Sequence, residues 1–532
     1  MVAEEVLSPF PPSRRLVWIA AAVVAGVYLL GVTNAWWPTP DSALYQGLGR
    51  ELVRTGEYRF NGQRETIVTP GLPAILGALW WAFGEGFWAP NLFMTLCGLG
   101  ALWLAWRTLL RRTSRRMAFA VVLATAATYR YYDYTHLILT DAPFVLLFWL
   151  SAYGCLRVLE GAWAWAGVVV LAVAAAVAIR PPGVLVLGPW GVALVLDRAT
   201  TRNWPRRLVA GALAAGTAAI VARTLLAFFP GYVEASGRRF SVLGRLWGIV
   251  VGLSRLPDEL NNTFLAQRSP WLVPVGAGIV ALMLIGGIVL WRRGRRLAPA
   301  TFAADFLAVC FLVGYRSVRA RYLMALYPLL LLMVFEGLFW SVRRLLLWRA
   351  RAARPLTFLK AATVLTALLV AVNIPKLLRH AAYYSTMGRL GRYHEVIEGG
   401  IYAELAPTAA FLRERFGTEA VVAVRPDRVT MLHLLGGART RPFKKVCLWN
   451  PWNAEHAEEI FADFQTRRDV RAVVFDRGEL DKRFVRRMRS LLDAAPNLRC
   501  IHEGRYVRIY ERVRPPASRP AEPSSARGGG CL

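Results

Sequence analysis

Long apolar runs separated by short polar segments occupy the chain up to about residue 375. A helix of roughly 20 apolar residues spans the hydrocarbon core of a bilayer. The segment 71–83 is apolar but short, so it is predicted to be an interfacial or re-entrant helix. The longer runs predict about eleven spans, near 16–33, 89–107, 117–130, 138–156, 163–179, 183–197, 208–229, 271–291, 301–315, 322–341 and 361–375.

Basic residues fall on alternate loops between these runs. Lys and Arg are retained on the cytoplasmic side of a membrane, so all the clustered loops are predicted to share that side. Eleven spans then place the N-terminus in the cytoplasm as an uncleaved signal anchor, and everything after about residue 376 outside. The clusters lie at 14–15, 107–116, 198–207, 292–296 and 343–360.

The sequence after residue 375 changes to mixed charge with short apolar stretches. Its pattern predicts an amphipathic helix at 406–416, buried strands at 420–424 and 470–475, and an edge strand at 506–510. We therefore expect three regions: a membrane domain over 1–375, an extracytoplasmic α/β domain over 376–514 and a disordered tail over 515–532.

Composition narrows the class of protein further. The 532 residues carry 65 Lys and Arg against 34 Asp and Glu, a net charge of +31. Such a charge is typical of nucleic-acid-binding proteins, but 56% hydrophobic residues and 20 Trp are not. The composition indicates a polytopic membrane protein without a nucleic-acid partner. The six Cys show neither paired nor His-coupled spacing, so a zinc site or disulfide framework has no support.

The loops predicted to face outward hold nearly all the unusual polar residues. One of them has three arginines within six residues, although outer loops are usually poor in basic residues. Arginine is a permanently charged, planar donor that suits phosphate. Ordinary lipid headgroups or loop carboxylates are the alternative partners. The candidates are Asp41, Tyr45, Asp141, Arg180, Arg316, Arg319, Arg321 and Tyr322.

The two carboxylates also have a structural interpretation. Asp41 precedes an amphipathic stretch and Asp141 precedes Ala142-Pro143, so either side chain could cap a helix N-terminus. The aromatic cluster at 129–134 is as typical of an interfacial belt as of a substrate platform.

Several short motifs follow one another along the chain and share one predicted side of the membrane: Asp41 with Tyr45, Thr69-Pro70-Gly71-Leu72-Pro73, Leu139-Thr140-Asp141-Ala142-Pro143, Arg180-Pro181-Pro182-Gly183, and Arg319-Ala320-Arg321-Tyr322. Their order resembles the GT-C superfamily of integral-membrane glycosyltransferases over roughly residues 16–375. More specifically, it resembles the bacterial branch related to protein mannosyltransferases and lipid A aminoarabinose transferases.

The resemblance implies a polyprenyl-phosphate-linked sugar as donor, and transfer on the outer face of the cytoplasmic membrane to a lipid, glycan or protein acceptor. Asp41 maps to the main catalytic position and Asp141 to the second acidic position. Ser42 stands where a second acid is common in the superfamily, which weakens the case for a divalent metal. We expect no metal and no cofactor.

The resulting hypothesis gives each candidate a role. Asp41 acts as general base or orienter for the acceptor hydroxyl, and in-line attack inverts the anomeric carbon. Asp141 holds acceptor or sugar hydroxyls, and Tyr45 and Tyr322 contact substrate. The leaving phosphate is neutralised first by Arg319 and Arg321, with weaker contributions from Arg180 and Arg316.

Two other functional classes are also compatible with the sequence. A lipid or glycolipid transporter also needs many helices and outer phosphate contacts, but only Arg223 and Asp305 lie clearly inside predicted spans. A non-catalytic envelope assembly subunit with an outer binding domain is the third possibility.

Overall fold

A computed structural model describes most of the chain, and the account below concerns the residues it describes. They are 13–37, 39–60, 63–196, 204–228, 242–264, 270–313, 320–349, 367, 371, 373–382, 401–418, 421–424, 439–442, 454–467, 469–476, 482–504 and 506–513. The chain divides into two compact units. Unit 1 comprises Met1–Thr33, Thr66–Leu72 and Trp88–Thr386, and unit 2 comprises Asn34–Glu65, Pro73–Phe87 and Met387–Leu532. The predicted boundaries at 375 and 514 stay predictions.

Helices make up most of the described chain before residue 350. They are α1 (Arg14–Leu30), α2 (Pro40–Thr55), α3 (Gly71–Phe83), α4 (Trp88–Leu109), α5 (Arg115–Ala127), α6 (Tyr129–Thr135), α7 (Asp141–Leu159), α8 (Ala164–Ile179), α9 (Gly188–Leu196), α10 (Trp204–Phe228), α11 (Val242–Phe264), α12 (Val273–Arg292), α13 (Leu297–Val313), α14 (Ala320–Leu323) and α15 (Tyr327–Arg349). Short 3₁₀ turns cover Pro181–Leu187, Pro270–Leu272 and Met324–Leu326. Residues 373–382 are also helical.

Four helices in the described chain are long and apolar enough to cross a membrane. They are Trp88–Leu109, Asp141–Leu159, Val273–Arg292 and Arg321–Leu345. In unit 1, α7 packs between α4 and α8, and α12 runs along α15. Gly286 and Gly337 permit that second contact, because a Cβ at either would collide with backbone of the facing helix. The polytopic helical fold is therefore confirmed, and the total of eleven spans stays a prediction.

The helix α11 was not predicted from the sequence. Its 23 residues alternate apolar and polar groups with helical spacing and include Pro257, so no apolar run marks it. Its C-terminal turn buries Glu259, Asn261, Asn262 and Thr263. This turn supplies polar partners for the site described below.

Unit 2 contains the first-loop elements and the C-terminal sheet. The first loop has α2, the hairpin β1 (Arg59–Phe60) and β2 (Gln63–Arg64), and most of α3. Gly49 on α2 allows the close approach of α3, because a Cβ there would collide with the carbonyl oxygen of Pro73. The helix predicted at 71–83 is confirmed as a helix.

A five-stranded mixed sheet confirms the α/β class predicted for the C-terminal part. The helices are α16 (Ile401–Phe416), α17 (Ala454–Thr466) and α18 (Lys482–Ala494), and the strands are β3 (Val421–Val424), β4 (Arg439–Pro442), β5 (Val470–Asp476), β6 (Leu498–Glu503) and β7 (Val507–Arg512). Strand order is β4-β3-β5-β7-β6, parallel over β4-β3-β5 and antiparallel over β5-β7-β6.

The prediction of an edge strand at 506–510 is wrong. β7 pairs with β5 on one side and β6 on the other, and the edges are β4 and β6. Four consecutive residues from Val507 to Tyr510 are buried, which is the pattern of a strand covered on both faces. The charged residues Arg508 and Glu511 within it made the strand look exposed; Arg508 is buried against Asp493 and Glu503.

Candidate active site

A buried ion pair lies at the N-terminus of α7 in unit 1. Asp141 is the first residue of the helix and is 2% exposed. Nη1 of Arg180 donates to its Oδ1 at 3.1 Å. Thr140 occupies the cap position, so the interpretation of Asp141 as the cap is wrong. Its carboxylate faces a guanidinium, and breaking such a buried pair leaves an uncompensated charge.

Local backbone geometry places Arg180 in this position. α8 ends at Ile179, and the following Pro181 cannot continue its hydrogen-bond pattern, so Arg180 turns to an extended conformation. The turn requires a glycine at position 183, because a Cβ there would collide with the carbonyl of Ala176. The guanidinium lies 3.8 Å above the Phe144 ring. Its Nε is buried and has no hydrogen-bond partner among the described residues, so a donor remains for a ligand.

The arginine-rich loop at 315–322 is described in part. Arg316 and Arg319 fall outside the described residues. Arg321 lies in α14, where its Nη2 donates to the Tyr322 hydroxyl at 3.0 Å and its guanidinium is 5.0 Å from that ring. Both side chains are half-buried.

The charges of both Asp141 and Arg321 act on the pKa of Tyr134. Burial, followed by the negative charges of Asp133 and Asp141, raises the pKa of Tyr134 to about 12, while Arg130 and Arg321 oppose the rise. The phenol is therefore within electrostatic range of two carboxylates and two guanidiniums. Because it keeps its proton at neutral pH, it can donate a hydrogen bond to a substrate oxygen.

A second group of polar residues, which sequence reasoning did not identify, surrounds Arg130. Its Nη2 and Nε donate to Oδ1 of Asn262 at 2.7 and 3.2 Å, and its Nη1 lies 3.5 Å from Oδ2 of Asp133. Beside Asn262 on α11, the Thr263 hydroxyl is 3.3 Å from that of Tyr327. These contacts join α6, the end of α11 and the start of α15.

The helical segment 373–382 adds Lys376 and His380 to this second group. The rings of His380 and Tyr129 meet edge to face at 4.5 Å, and the Arg130 guanidinium is 5.3 Å from the same Tyr129 ring. Lys376 lies one helical turn before His380, on the same face of the helix. Burial and then the charge of Arg130 lower the pKa of Lys376.

The first-loop carboxylate Asp41 is described within unit 2, in the first turn of α2. It is exposed. The helix is capped by Thr39, whose Oγ1 accepts from the Ser42 amide at 3.0 Å, while Ser42 Oγ accepts from the Thr39 amide at 3.0 Å. The interpretation of Asp41 as the N-cap is therefore wrong, because Thr39 performs that role.

Ser42 has a structural role of its own. It is buried, and Nε1 of Trp36 donates to its Oγ at 3.0 Å. Ser42, which departs from the superfamily pattern, therefore completes the capping box of α2 and accepts a hydrogen bond from Trp36. Tyr45 lies one turn after Asp41 and is half-buried. Within the described part of the chain, no three His, Cys, Asp or Glu side chains form a group that could hold a metal ion.

Comparison with known proteins identifies the fold. Residues 68–228 match the family model described as dolichyl-phosphate-mannose-protein mannosyltransferase. The crystal structure of ArnT from Cupriavidus metallidurans bound to undecaprenyl phosphate has a TM-score of 0.57 at 14% identity, over 93% of this chain and 97% of that one. The chain has a GT-C fold.

A second solved structure supports the same conclusion. The archaeal oligosaccharyltransferase AglB from Archaeoglobus fulgidus, in complex with an inhibitory peptide and a dolichol-phosphate, has a TM-score of 0.55 at 11% identity, over 86% of this chain and 69% of that one. No curated protein matches the sequence. The predicted resemblance is confirmed at the level of the fold, and the matched segment 68–228 contains Asp141 and Arg180.

Proposed function

We propose that the chain transfers a sugar from a polyprenyl-phosphate donor to a lipid, glycan or protein acceptor on the outer face of the cytoplasmic membrane. The observation that carries the proposal is the buried Asp141–Arg180 pair in a chain with a GT-C fold. The similar structures of ArnT and AglB hold undecaprenyl phosphate and dolichol-phosphate. A phosphate partner accounts for the arginines that the positive-inside tendency does not explain.

In the proposed reaction, arginines stabilise the phosphate that leaves the anomeric carbon. Arg321 supplies a planar donor, and Arg180 supplies the Nε–H that has no partner among the described residues. Arg316 and Arg319 belong to the same loop and remain candidates. Fixed cations in a partly buried site stabilise developing charge without reorganising, which is why this contribution is often the largest.

We assign different roles to the two carboxylates, Asp141 and Asp41. Asp141 is ion-paired with Arg180, so we assign it the positioning of that guanidinium and a contact with a substrate hydroxyl. Asp41 is exposed, and we assign it the acceptor proton: it orients the hydroxyl or removes its proton as the oxygen attacks. Tyr45 and Tyr322 are proposed substrate contacts.

Removing Arg321 tests the phosphate assignment. Arg321→Ala is expected to lower transfer from a polyprenyl-phosphate-sugar by about 100-fold or more, comparable with the loss of one donor to a developing oxyanion. Arg321→Lys should recover part of the rate, because an ammonium replaces a two-pronged donor. Arg255→Ala, an exposed arginine on α11, is the matched control. Full activity of Arg321→Ala would remove this arginine from the proposal.

Reporter fusions test the proposed side of the membrane. Fusions at residues 112, 200, 294 and 350 should report a cytoplasmic location, and a fusion at 420 should report an external one. A cytoplasmic location at 420 would contradict the proposed topology and with it the outer-face assignment of the arginine loop.

A further inference from the structure

Three arginines converge where α4 and α7 end in unit 1. Arg111 and Arg157 are both ion-paired with Oε2 of Glu160, Arg157 through its Nη1 at 3.1 Å. Nη2 of Arg111 also donates to the Tyr153 hydroxyl at 3.4 Å. The guanidinium carbons of Arg111 and Arg107 lie 5.3 and 6.0 Å from the centre of the Tyr153 ring. These three arginines are called the basic cluster below.

The basic cluster lies at the ends of two helices that are long and apolar enough to cross a membrane. Arg107 and Arg157 are in the last turns of α4 and α7, and Arg111 follows α4 by two residues. The 22 residues of α4 rise about 33 Å, close to the thickness of a hydrocarbon core of about 30 Å. Trp103 is exposed one turn before Arg107, and exposed tryptophans are typical of the membrane–water interface. The cluster is therefore at the level of lipid headgroups.

The positive charge of the basic cluster exceeds the negative charge around it. Its three guanidinium groups share one carboxylate, that of Glu160, and both pairs are partly exposed, so water weakens them. Arg107 is exposed and makes no ion pair among the residues that the structure describes. The carbonyl ends of α4 and α7 add about half a negative charge each, which still leaves an excess of positive charge. This balance favours a further anion.

The retention of basic residues on the cytoplasmic side predicts arginines in the loop 107–116, but it does not predict this arrangement. That tendency concerns the number of basic residues in a loop. Glu160, which pairs with Arg111 and Arg157, lies 49 residues after Arg111. Two segments far apart in sequence have thus brought their arginines around one ring and one carboxylate.

We propose that the basic cluster binds the phosphate of an anionic phospholipid headgroup. Arginine presents five N–H donors in a plane, which suits phosphate oxygens. Arg107 and the remaining N–H groups of Arg111 and Arg157 supply the donors, and exposed Trp103 contacts the lipid beside them. A soluble phosphate compound carries the same charged group, but a site at the ends of membrane-crossing helices favours the lipid. This binding is independent of the proposed sugar transfer.

Native mass spectrometry of the purified, delipidated full-length protein tests the lipid site. Phosphatidylglycerol is titrated after saturation with undecaprenyl phosphate, which occupies the proposed donor site. Phosphatidylcholine, which has no net charge, and glycerol 3-phosphate, which has no acyl chains, are the comparison ligands. We expect the first phosphatidylglycerol to bind on the order of tenfold more tightly than either of them. Arg107→Gln should weaken that binding on the order of tenfold, because it removes one charge-assisted contact.

Glu160→Gln should have the opposite effect. It removes the carboxylate that competes for two of the three arginines, so phosphatidylglycerol should bind about threefold more tightly. Arg107 and Glu160 are both exposed, so we expect both variants to fold. Arg292→Gln, an exposed arginine at the end of α12, is the matched control and should bind the lipid as the wild type does.

Four results would overturn the lipid site. Equal affinity for phosphatidylglycerol and phosphatidylcholine would show that the charge is not recognised. An unchanged affinity in Arg107→Gln, or an equal loss in Arg292→Gln, would show general attraction to the protein surface. Equally tight binding of glycerol 3-phosphate would replace the lipid with a soluble phosphate compound. Loss of phosphatidylglycerol binding on saturation with undecaprenyl phosphate would assign the bound lipid to the donor site.

Discussion

The two candidate carboxylates lie at the beginnings of two helices, yet their surroundings differ. Asp141 begins α7, is 2% exposed and is ion-paired with Arg180. Asp41 is in the first turn of α2, is exposed, and lies beside a capping box that Thr39 and Ser42 complete without it. One carboxylate is buried in an ion pair, while the other is exposed, so we expect its substitution to affect folding less. Substitutions should therefore separate stability from chemistry.

The largest expected effect belongs to Asp141→Asn. Losing the carboxylate leaves Arg180 buried without its charge partner, which costs about 3–5 kcal/mol in comparable buried pairs. Thermal unfolding of the purified protein measures the loss. The double variant Asp141→Asn with Arg180→Gln should recover part of it, because the uncompensated cation is removed. A single variant as stable as the wild type would show that the pair contributes nothing.

Asp41→Asn should show the reverse pattern. The transfer rate is expected to fall by about 100-fold, since an amide cannot take the acceptor proton. Stability should change by about 1 kcal/mol or less, the range of a charge near a helix N-terminus. Glu57→Gln, an exposed carboxylate of the same loop, is the control for both readouts. Near-normal turnover would exclude Asp41 from the mechanism and move the catalytic role to Asp141.

Much of this comparison was predictable from the sequence. Apolar runs located the long apolar helices but not α11, and the two prolines after Arg180 drew attention to that residue. The identity of the cap was not predictable, because Thr39, Asp41 and Ser42 are all residues that favour helix N-termini and only the start of the helix decides among them. The second group of polar residues, around Arg130, was also missed, since Arg130 and its partner Asn262 are 132 residues apart along the chain.

Thr39→Ala should have a smaller effect that sharpens the distinction between cap and catalyst. Loss of the Oγ1 acceptor is expected to cost about 1 kcal/mol in the free energy of unfolding. Thr39→Ser keeps the acceptor and should restore stability. The transfer rate of Thr39→Ala should stay closer to the wild-type rate than the transfer rate of Asp41→Asn does. A rate loss as large as that of Asp41→Asn would mean that the position of the helix end controls the chemistry.

A pH dependence of stability is also expected in unit 1. His380 has a folded-state pKa of about 4, below its ordinary value of about 6.5. Between these values the unfolded chain binds the proton first, so stability declines as pH falls from 6.5 to 4 and this contribution changes little outside that window. His380→Phe keeps an aromatic ring against Tyr129 and should show a smaller fall in thermal midpoint. An equal fall in both proteins would contradict the burial of a neutral imidazole.

Mass spectrometry of lipid-linked sugars and envelope glycans tests the transferase proposal most directly. Cells lacking the gene are compared with cells that express the wild type or Asp41→Asn at matched protein levels. The proposal predicts that the deletion accumulates a polyprenyl-phosphate-sugar and lacks one sugar in an envelope glycan, lipid or protein, and that only the wild type restores it. Unchanged pools in the deletion strain would contradict transfer from a polyprenyl-phosphate donor, and full restoration by Asp41→Asn would contradict the role of Asp41.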